Sequence, residues 1–252
     1  MNNGKLYCAG GTPAVRYALE YLRRHDFPIS DRPGADTSAL LLDVPSFCPD
    51  GALRSGGCIQ GILDQLPGQI IVFGGNLNHP VLEGYRTADL LKDPQYLAEN
   101  AYITAEAAIE IALSCLSITL RRCPTLVMGW GRIGKCLARL LHAIGADVTV
   151  TARKASDRAI CQALGYKAVD TPGPETDLLP YRLIFNTIPE KILSSQQTER
   201  CHPDCVKIDL ASKNGIEGPG VIYARGLPGI HMPESSGKLI GQTLIRLYQE
   251  ES

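Results

Sequence analysis

The chain has 252 residues, 44% of them apolar and 20% charged. These values are close to the average of folded globular proteins, which excludes disorder as the dominant state and, at ~150 residues per domain, allows two cores. Twenty-five Lys and Arg against 26 Asp and Glu give a net charge of −1, so there is no bulk basic field for nucleic acid or for an anionic membrane. Glycine is frequent (25 residues) and aromatic residues make up only 6%, which suits a turn-rich α/β enzyme better than a base-stacking surface.

The first residues run into a strand-like stretch with no apolar leader before it, so no secretory signal is expected. The most apolar helix candidate, residues 109–120, carries Glu110, Ser114, Ser117 and Thr119 and is too short and polar for a bilayer. The nine cysteines, Cys8, Cys48, Cys58, Cys115, Cys123, Cys136, Cys161, Cys201 and Cys205, are odd in number and irregular in spacing. This points to reduced thiols and a cytoplasmic protein. Cys201-His202-Pro203-Asp204-Cys205 has metal-ligand residue types, but no second pair follows at zinc-finger spacing, and no metal is expected.

In chain order, Lys5–Cys8 reads as a strand ending at Gly10-Gly11, and residues 13–24 as a helix with Val15, Leu19 and Leu22 on one face. Leu40, Leu41, Leu42 and Val44 form a buried strand stopped by Pro45. Ile59, Ile62, Leu63 and Leu66 recur at helical spacing up to Pro67-Gly68. Ile70–Phe73 is a third strand, stopped by Gly74-Gly75-Asn76. Thr104 to Leu120 reads as one helix, N-capped by Thr104, with Glu106 in its first turn, Ala108, Ile111, Ala112, Cys115, Leu116 and Thr119 on one stripe, and Arg121-Arg122 at its end. Strands follow at Thr125–Met128, Asp147–Thr151, Leu183–Asn186, Val206–Asp209 and Val221–Ala224. The stretch 170–175 is a loop, Leu227-Pro-Gly-Ile-His231 a stiff loop, and residues 234–250 a final helix with Leu239, Ile240, Thr243, Leu244, Leu247 and Tyr248 on one face.

The pattern predicts an α/β fold of two Rossmann-like domains, each a mainly parallel sheet flanked by helices. Residues 1–103 form a substrate-side domain, 104–121 a linking helix and 122–233 a nucleotide-binding domain. The C-terminal helix, 234–252, returns to the first domain. The linking segments, around 104–121 and 230–238, are the expected hinges.

The strongest motif is Leu126-Val-Met-Gly129-Trp130-Gly131-Arg132-Ile133-Gly134. The glycine fingerprint follows an apolar strand and opens a helix with Ile133, Leu137, Leu140, Leu141 and Ile144 on its apolar face. A second strand, Val148–Thr151, completes a βαβ unit. Gly129 would make the tight turn, Gly131 would let a pyrophosphate approach the backbone, and Gly134 would let helix and strand pack closely. An acidic residue ~20 positions on would select NAD through the ribose 2′-OH. Residue 152 is Ala, preceded by Thr151 and followed by Arg153 and Lys154, which favours NADP(H), because a 2′-phosphate pairs with Arg and is repelled by a carboxylate. The plainer alternative is a solvated positive turn.

Asn186-Thr187-Ile188-Pro189 and Asp209-Leu-Ala211-Ser-Lys213 end later strands of the same sheet. Their amide and carboxylate either hold the nicotinamide end of the cofactor or cap the next turn. His231 either shuttles a proton or is a surface histidine.

Gly10-Gly11, Ile71-Val-Phe-Gly-Gly-Asn76, Thr104-Ala-Glu106, the 129–134 fingerprint, Val150-Thr-Ala-Arg153, Asn186–Pro189, Asp209–Ser212 and Gly226-Leu-Pro-Gly229 together resemble the dipicolinate synthase family, in its first, nucleotide-binding subunit. The overall plan is similar to that of 2-hydroxyacid dehydrogenases and alanine dehydrogenase. The resemblance implies an NADP-dependent oxidoreductase that oxidises a dihydrodipicolinate-type ring to dipicolinate during sporulation, together with a second, flavoprotein-like subunit. Assembly of further copies of the chain is compatible with it. Ser46, Asn76 and Lys213 are the candidates for a small dicarboxylate substrate, and His231 and Lys213 for catalysis. Arg225 and Lys238 are further cations near the expected cleft. Lys213 stands where the family has Arg, His231 where it has an apolar residue, and residues 25–40 are shorter than in the family. A dehydrogenase of another small 2-hydroxy or amino acid, and a non-catalytic cofactor-binding subunit, remain open readings.

Overall fold

In the computed structural model, which describes residues 4–172 and 176–251, the chain folds as two units, Met1–Asn100 with Pro228–Ser252, and Ala101–Leu227. The first unit contains β1 (Lys5–Cys8), α1 (Pro13–Arg24), β2 (Ile29–Ser30), β3 (Thr37–Leu41), α2 (Ile59–Leu63), β4 (Ile71–Gly74) and β5 (Arg86–Asp89). The strands form one parallel sheet in the order β2-β1-β3-β4-β5. Leu40, Leu42, Ile70 and Val72 pack with Leu53, Ile59 and Leu63 in one core. Strands buried on both faces read as continuous apolar runs, which is why β3 and β4 are visible in the sequence. β5, Arg-Thr-Ala-Asp on the sheet edge, carries no such run and was not anticipated.

The helix expected over 104–121 is α3, Pro94–Cys115, beginning ten residues earlier and ending sooner. Asp93 provides the start. Its carboxylate accepts the Tyr96 amide at 2.7 Å, and Pro94 takes the first helical position, where a missing N–H costs nothing. Thr104 is therefore mid-helix and buried rather than a cap, Glu106 is not in the first turn, and Arg121-Arg122 lie beyond the end. Ala101, Ala105, Ala108 and Ala112 are buried, whereas Cys115 is exposed.

The second unit contains β6 (Pro124–Met128), α4 (Arg132–Ile144), β7 (Asp147–Thr151), α5 (Ala155–Ala163), β8 (Lys167–Val169), β9 (Leu183–Asn186), α6 (Ser195–Thr198), β10 (Val206–Asp209) and β11 (Val221–Tyr223). All pairings are parallel, in the order β11-β10-β9-β6-β7-β8. The strand order reverses between β6 and β9, which places a ligand crevice at the carboxyl ends of those two strands. Leu137, Ala138 and Leu141 of α4 are buried, but Ile144 is 47% exposed, because Gly145 turns the chain away with φ 90°. β8 is a three-residue edge strand that the sequence pattern did not reveal. The loop expected over 170–175 has no regular structure at residues 170–172, and its part at 173–175 lies outside the described residues.

Residues 227–231 form a single helical turn, α7 (Leu227–His231), rather than a loop; Pro228 at its start is preset for helical φ. The final helix, α8 (Pro233–Glu251), packs along α1 in the first unit. Gly241 lets the two helices approach closely, since a side-chain carbon there would meet the Tyr21 ring at 2.6 Å. Among the described residues no helix is long and apolar enough to cross a membrane.

Arg246 of α8 reaches the Asp93 cap at 2.7 Å and ties the C-terminal helix to the start of α3. Burial pushes the Asp93 carboxyl up, but the Tyr96 amide and the Arg246 guanidinium overcome it and hold it below the usual carboxylate range. A depressed carboxyl stabilises the fold above its unfolded pKa, and that stabilisation is lost as the pH falls through its folded value. Arg246→Ala should therefore cost about 1–2 kcal/mol near neutral pH, and the gap to the wild-type chain should narrow in acid below the ordinary aspartate range. Urea unfolding at neutral and acid pH measures this; an equal gap at both would remove Asp93 as the cause.

Candidate functional site

Each unit carries a strand–turn–helix whose helix N-terminus points unpaired N–H groups at the carboxyl edge of its sheet. In the first unit that position is filled from within. Asp43, 1% exposed, accepts the Gly11 amide at 3.1 Å, the Thr12 amide at 2.9 Å and the Thr12 hydroxyl at 2.7 Å. A carboxylate of the chain thus stands where an anionic ligand would sit.

In the second unit the equivalent position is open. Gly129 has φ +102°, and its amide bonds both the carbonyl and the hydroxyl of Thr151 at 3.2 Å. Gly134 lies directly against the Gly129 carbonyl, so α4 can follow β6 only if residue 134 lacks a side chain. Gly131, the helix N-cap, has open space where a side chain would be. A cavity of about 280 Å³ lies beside this turn. Gly129, Trp130 and Gly131 line one side, Thr151, Ala152, Arg153 and Lys154 another, and Thr187, Ile188 and Pro189 a third. The Trp130 ring meets Tyr166 edge-on at 6.0 Å, and the Lys135 ammonium lies 5.7 Å from its centroid. Among the described residues the side chains of Arg153 and Lys154 have no partner.

Other candidates lie elsewhere. Arg132 is exposed and Ile133 half-buried in the first turn of α4; neither lines the cavity. Asn186 and Asp209 are 0% and 1% exposed. They face each other across β9 and β10, with the Asn186 amide donating to Asp209 Oδ1 at 2.9 Å and to the Ile188 carbonyl at 3.0 Å. The Asp209 oxygens also accept the amides of Ala211, Gly215 and Ile216. Of the two readings the sequence offered, the intrachain bonds match the capping one, since these groups fix the two loops. Ala211 is buried, and its carbonyl accepts from Arg225 at 3.2 Å. Lys213 is exposed on the loop so anchored, and Lys238 is exposed on α8.

His231 is half-buried at the end of α7. Ser46 is 0% exposed; its hydroxyl donates to the Asp43 carbonyl at 2.7 Å and accepts the Gly75 amide at 3.1 Å, so it closes a turn. Asn76 is exposed at φ +57°, held by the Asp89 carboxylate through its amide at 3.0 Å. Cys201 and Cys205 are buried in the apolar core, with thiols directed at the carbonyls of Gln197 and Val206.

Two lining residues escaped the sequence reading, Asp157 and Thr171. Asp157 sits in the first turn of α5, five positions past the strand end where an acid is normally sought, and Thr171 follows an edge strand too short to be recognised.

No protein-family model matches the chain. It is 27% identical over 205 residues to the first subunit of dipicolinate synthase from Bacillus subtilis strain 168, a match covering 76% of this chain and 69% of that protein. The chain resembles this dipicolinate synthase subunit. The resemblance extends to the fold: the crystal structure of the corresponding subunit from Bacillus halodurans superposes with a TM-score of 0.86 at 21% identity, covering 97% of each chain. A transhydrogenase from Sinorhizobium meliloti superposes at 0.73 with 13% identity, covering 98% of this chain and 94% of that one. The two-sheet α/β architecture is that of the dehydrogenase-type folds.

The glycines can be told apart by experiment. Gly134→Ala should destabilise the chain by about 1–3 kcal/mol through overpacking against the Gly129 carbonyl. Gly131→Ala should leave the melting temperature nearly unchanged but weaken nucleotide binding, because the new methyl group enters open space beside the helix N-terminus. Thermal unfolding and dinucleotide titration of both variants check this; a large loss of stability in Gly131→Ala would contradict it.

Proposed function

We propose that the chain is one component of an NADP-dependent oxidoreductase similar to dipicolinate synthase, acting on a dihydrodipicolinate-type ring alongside a second, flavoprotein-like subunit. The observation that carries the reading is the cavity at the β6–β9 switch point, bounded by the Gly129–Gly134 turn and by Ala152-Arg153-Lys154. The open space above Gly131 and the unpartnered cations at 153 and 154 fit a dinucleotide with an anionic 2′ substituent. When bound, NADP supplies the hydride acceptor. The α4 N-terminus would hold the pyrophosphate, Gly129 and Gly131 would let it approach the backbone, and Arg153 with Lys154 would pair with the 2′-phosphate.

Thr187, Ile188 and Pro189 form the wall next to the β6 turn, toward which the rest of the dinucleotide would extend. The Thr187 hydroxyl donates to the Met128 carbonyl at 2.9 Å, which fixes this wall to β6. Asn186 and Asp209 position the loops at the carboxyl edge, and Lys213 is presented there as a cation for a substrate carboxylate. Oxidation of a dihydropyridine ring releases one hydride and one proton and gains aromaticity, so a strongly tuned acid–base pair is not required; His231 is the candidate proton acceptor. The nine cysteines are all free thiols, in keeping with a role in a reducing cytoplasm.

Binding titration is the test. NADPH should bind at least ~10-fold more tightly than NADH, since one charge-assisted pair is worth ~1.5–3 kcal/mol, and Arg153→Ala should erase most of the difference. Equal affinities in the unmutated chain would overturn the NADP assignment. Turnover of a 2-hydroxy or amino acid by the chain alone would replace the ring substrate.

A further inference from the structure

The adenosine end of the cavity has two walls from different loops. One is Ala152-Arg153-Lys154, after β7; the other is Thr171, after β8. Arg158, in the middle of α5, joins them. One of its guanidinium nitrogens donates to the carbonyls of Ala152 and Arg153, both at 2.7 Å, and lies 3.2 Å from Asp170 Oδ2. The other Asp170 oxygen accepts the Thr171 amide at 2.7 Å. A continuous chain of charge-assisted contacts therefore runs from the Arg153 backbone through Arg158 and Asp170 to the Thr171 backbone.

Among the described residues Thr171 Oγ1 is buried and has no hydrogen-bond partner, although it belongs to a residue lining the cavity. A buried hydroxyl without a partner costs free energy, and a ligand that meets it recovers that cost. The same chain of contacts thus links the cation-bearing wall to the residue that carries this unsatisfied hydroxyl, and both line one cavity.

We infer that Thr171 is a nucleotide-contacting residue at the adenosine end of the site, and that Arg158 is the positioning residue that ties it to the Arg153-Lys154 wall of the same cavity. This rests on the dinucleotide reading of the cavity, but not on the preference for NADP. Arg158 touches no ligand; it acts through two backbone carbonyls and Asp170. Its loss would let both walls relax, and Thr171 would then lose its register with the nucleotide.

The test is a double-mutant cycle read by calorimetric titration of the full chain with ADP-ribose and with 2′-phospho-ADP-ribose. Thr171→Val should weaken both probes alike, by ~2- to 10-fold, the range of one hydrogen bond. Arg158→Gln should weaken both at least as much, and in the Arg158→Gln background Thr171→Val should cost almost nothing further, because Thr171 is already out of place. Arg158→Lys should recover part of the loss. Asp170→Asn, which leaves a carbonyl oxygen for the Thr171 amide, offers a milder break if Arg158→Gln folds poorly, and should show the same coupling. A silent Thr171→Val would overturn the contact, and additive losses in the double variant would overturn the positioning role of Arg158. If the unmutated chain binds both probes equally, the NADP reading falls while the cycle on ADP-ribose still decides this inference. If it binds neither, the dinucleotide reading and this inference fall together.

Discussion

The molecule is organised by how each unit satisfies the N-terminus of the helix that follows its first central strand. Four N–H groups at such an end have no partner within the helix and attract negative charge. In the first unit Asp43 supplies that charge from β3's own continuation, binding the Gly11 and Thr12 amides and the Thr12 hydroxyl. In the second unit nothing of the kind is present at Gly131 among the described residues, and the space above it is open. Two related βα turns therefore differ: one is closed by the chain's own carboxylate, and the other is open among the described residues. The glycines differ accordingly. Gly134 is required by the packing of α4 on the β6 turn, whereas Gly131 borders open space and is not required by packing.

A second constraint lies at the carboxyl edge of the larger sheet. Buried polar side chains must be fully paired or they destabilise the fold. Asn186 and Asp209 meet this condition by facing each other across neighbouring parallel strands and by collecting four backbone amides between them. The result is two loops held by their first residues. Thr187–Pro189 is fixed as a wall of the cavity, and the loop carrying Lys213 is further fastened by Arg225, which bonds Ala211 and Asn214. The pair thereby sets the geometry of both loops.

This explains which parts of the protein were legible in its sequence. β6, β7, β9 and β10 lie in the middle of a parallel sheet, covered on both faces, and their apolar runs gave their limits to within one residue. β2, β5 and β8 are short edge strands with polar or exposed residues, and pattern alone did not separate them from loops. The start of α3 was missed because Thr104 offers a plausible cap inside a helix already begun at Asp93-Pro94. The glycine fingerprint was readable as a strand–turn–helix because the packing there demands small residues at fixed spacing. The fate of Asn186 and Asp209 was not, because a polar residue at a strand's carboxyl end looks the same in sequence whether it meets a ligand or a neighbouring strand; only the register between β9 and β10 distinguishes them.

The same reasoning bears on Asp157, an acid in a cavity read as a site for a 2′-phosphate. A carboxylate at the strand end would bond the ribose hydroxyls and repel the phosphate. Asp157 is instead the third residue of α5, where an acidic side chain is favoured by the helix dipole whether or not a ligand is present. Its position therefore has a sufficient cause within the chain. Among the described residues Thr171 has none: its one side-chain polar atom is buried and unmatched, whereas Arg182, which also has an unmatched nitrogen, still reaches Asp204 at 3.6 Å. Among the described residues, one unmatched hydroxyl and two unpaired cations therefore meet around one cavity, and each has hydrogen-bonding capacity that a ligand could use.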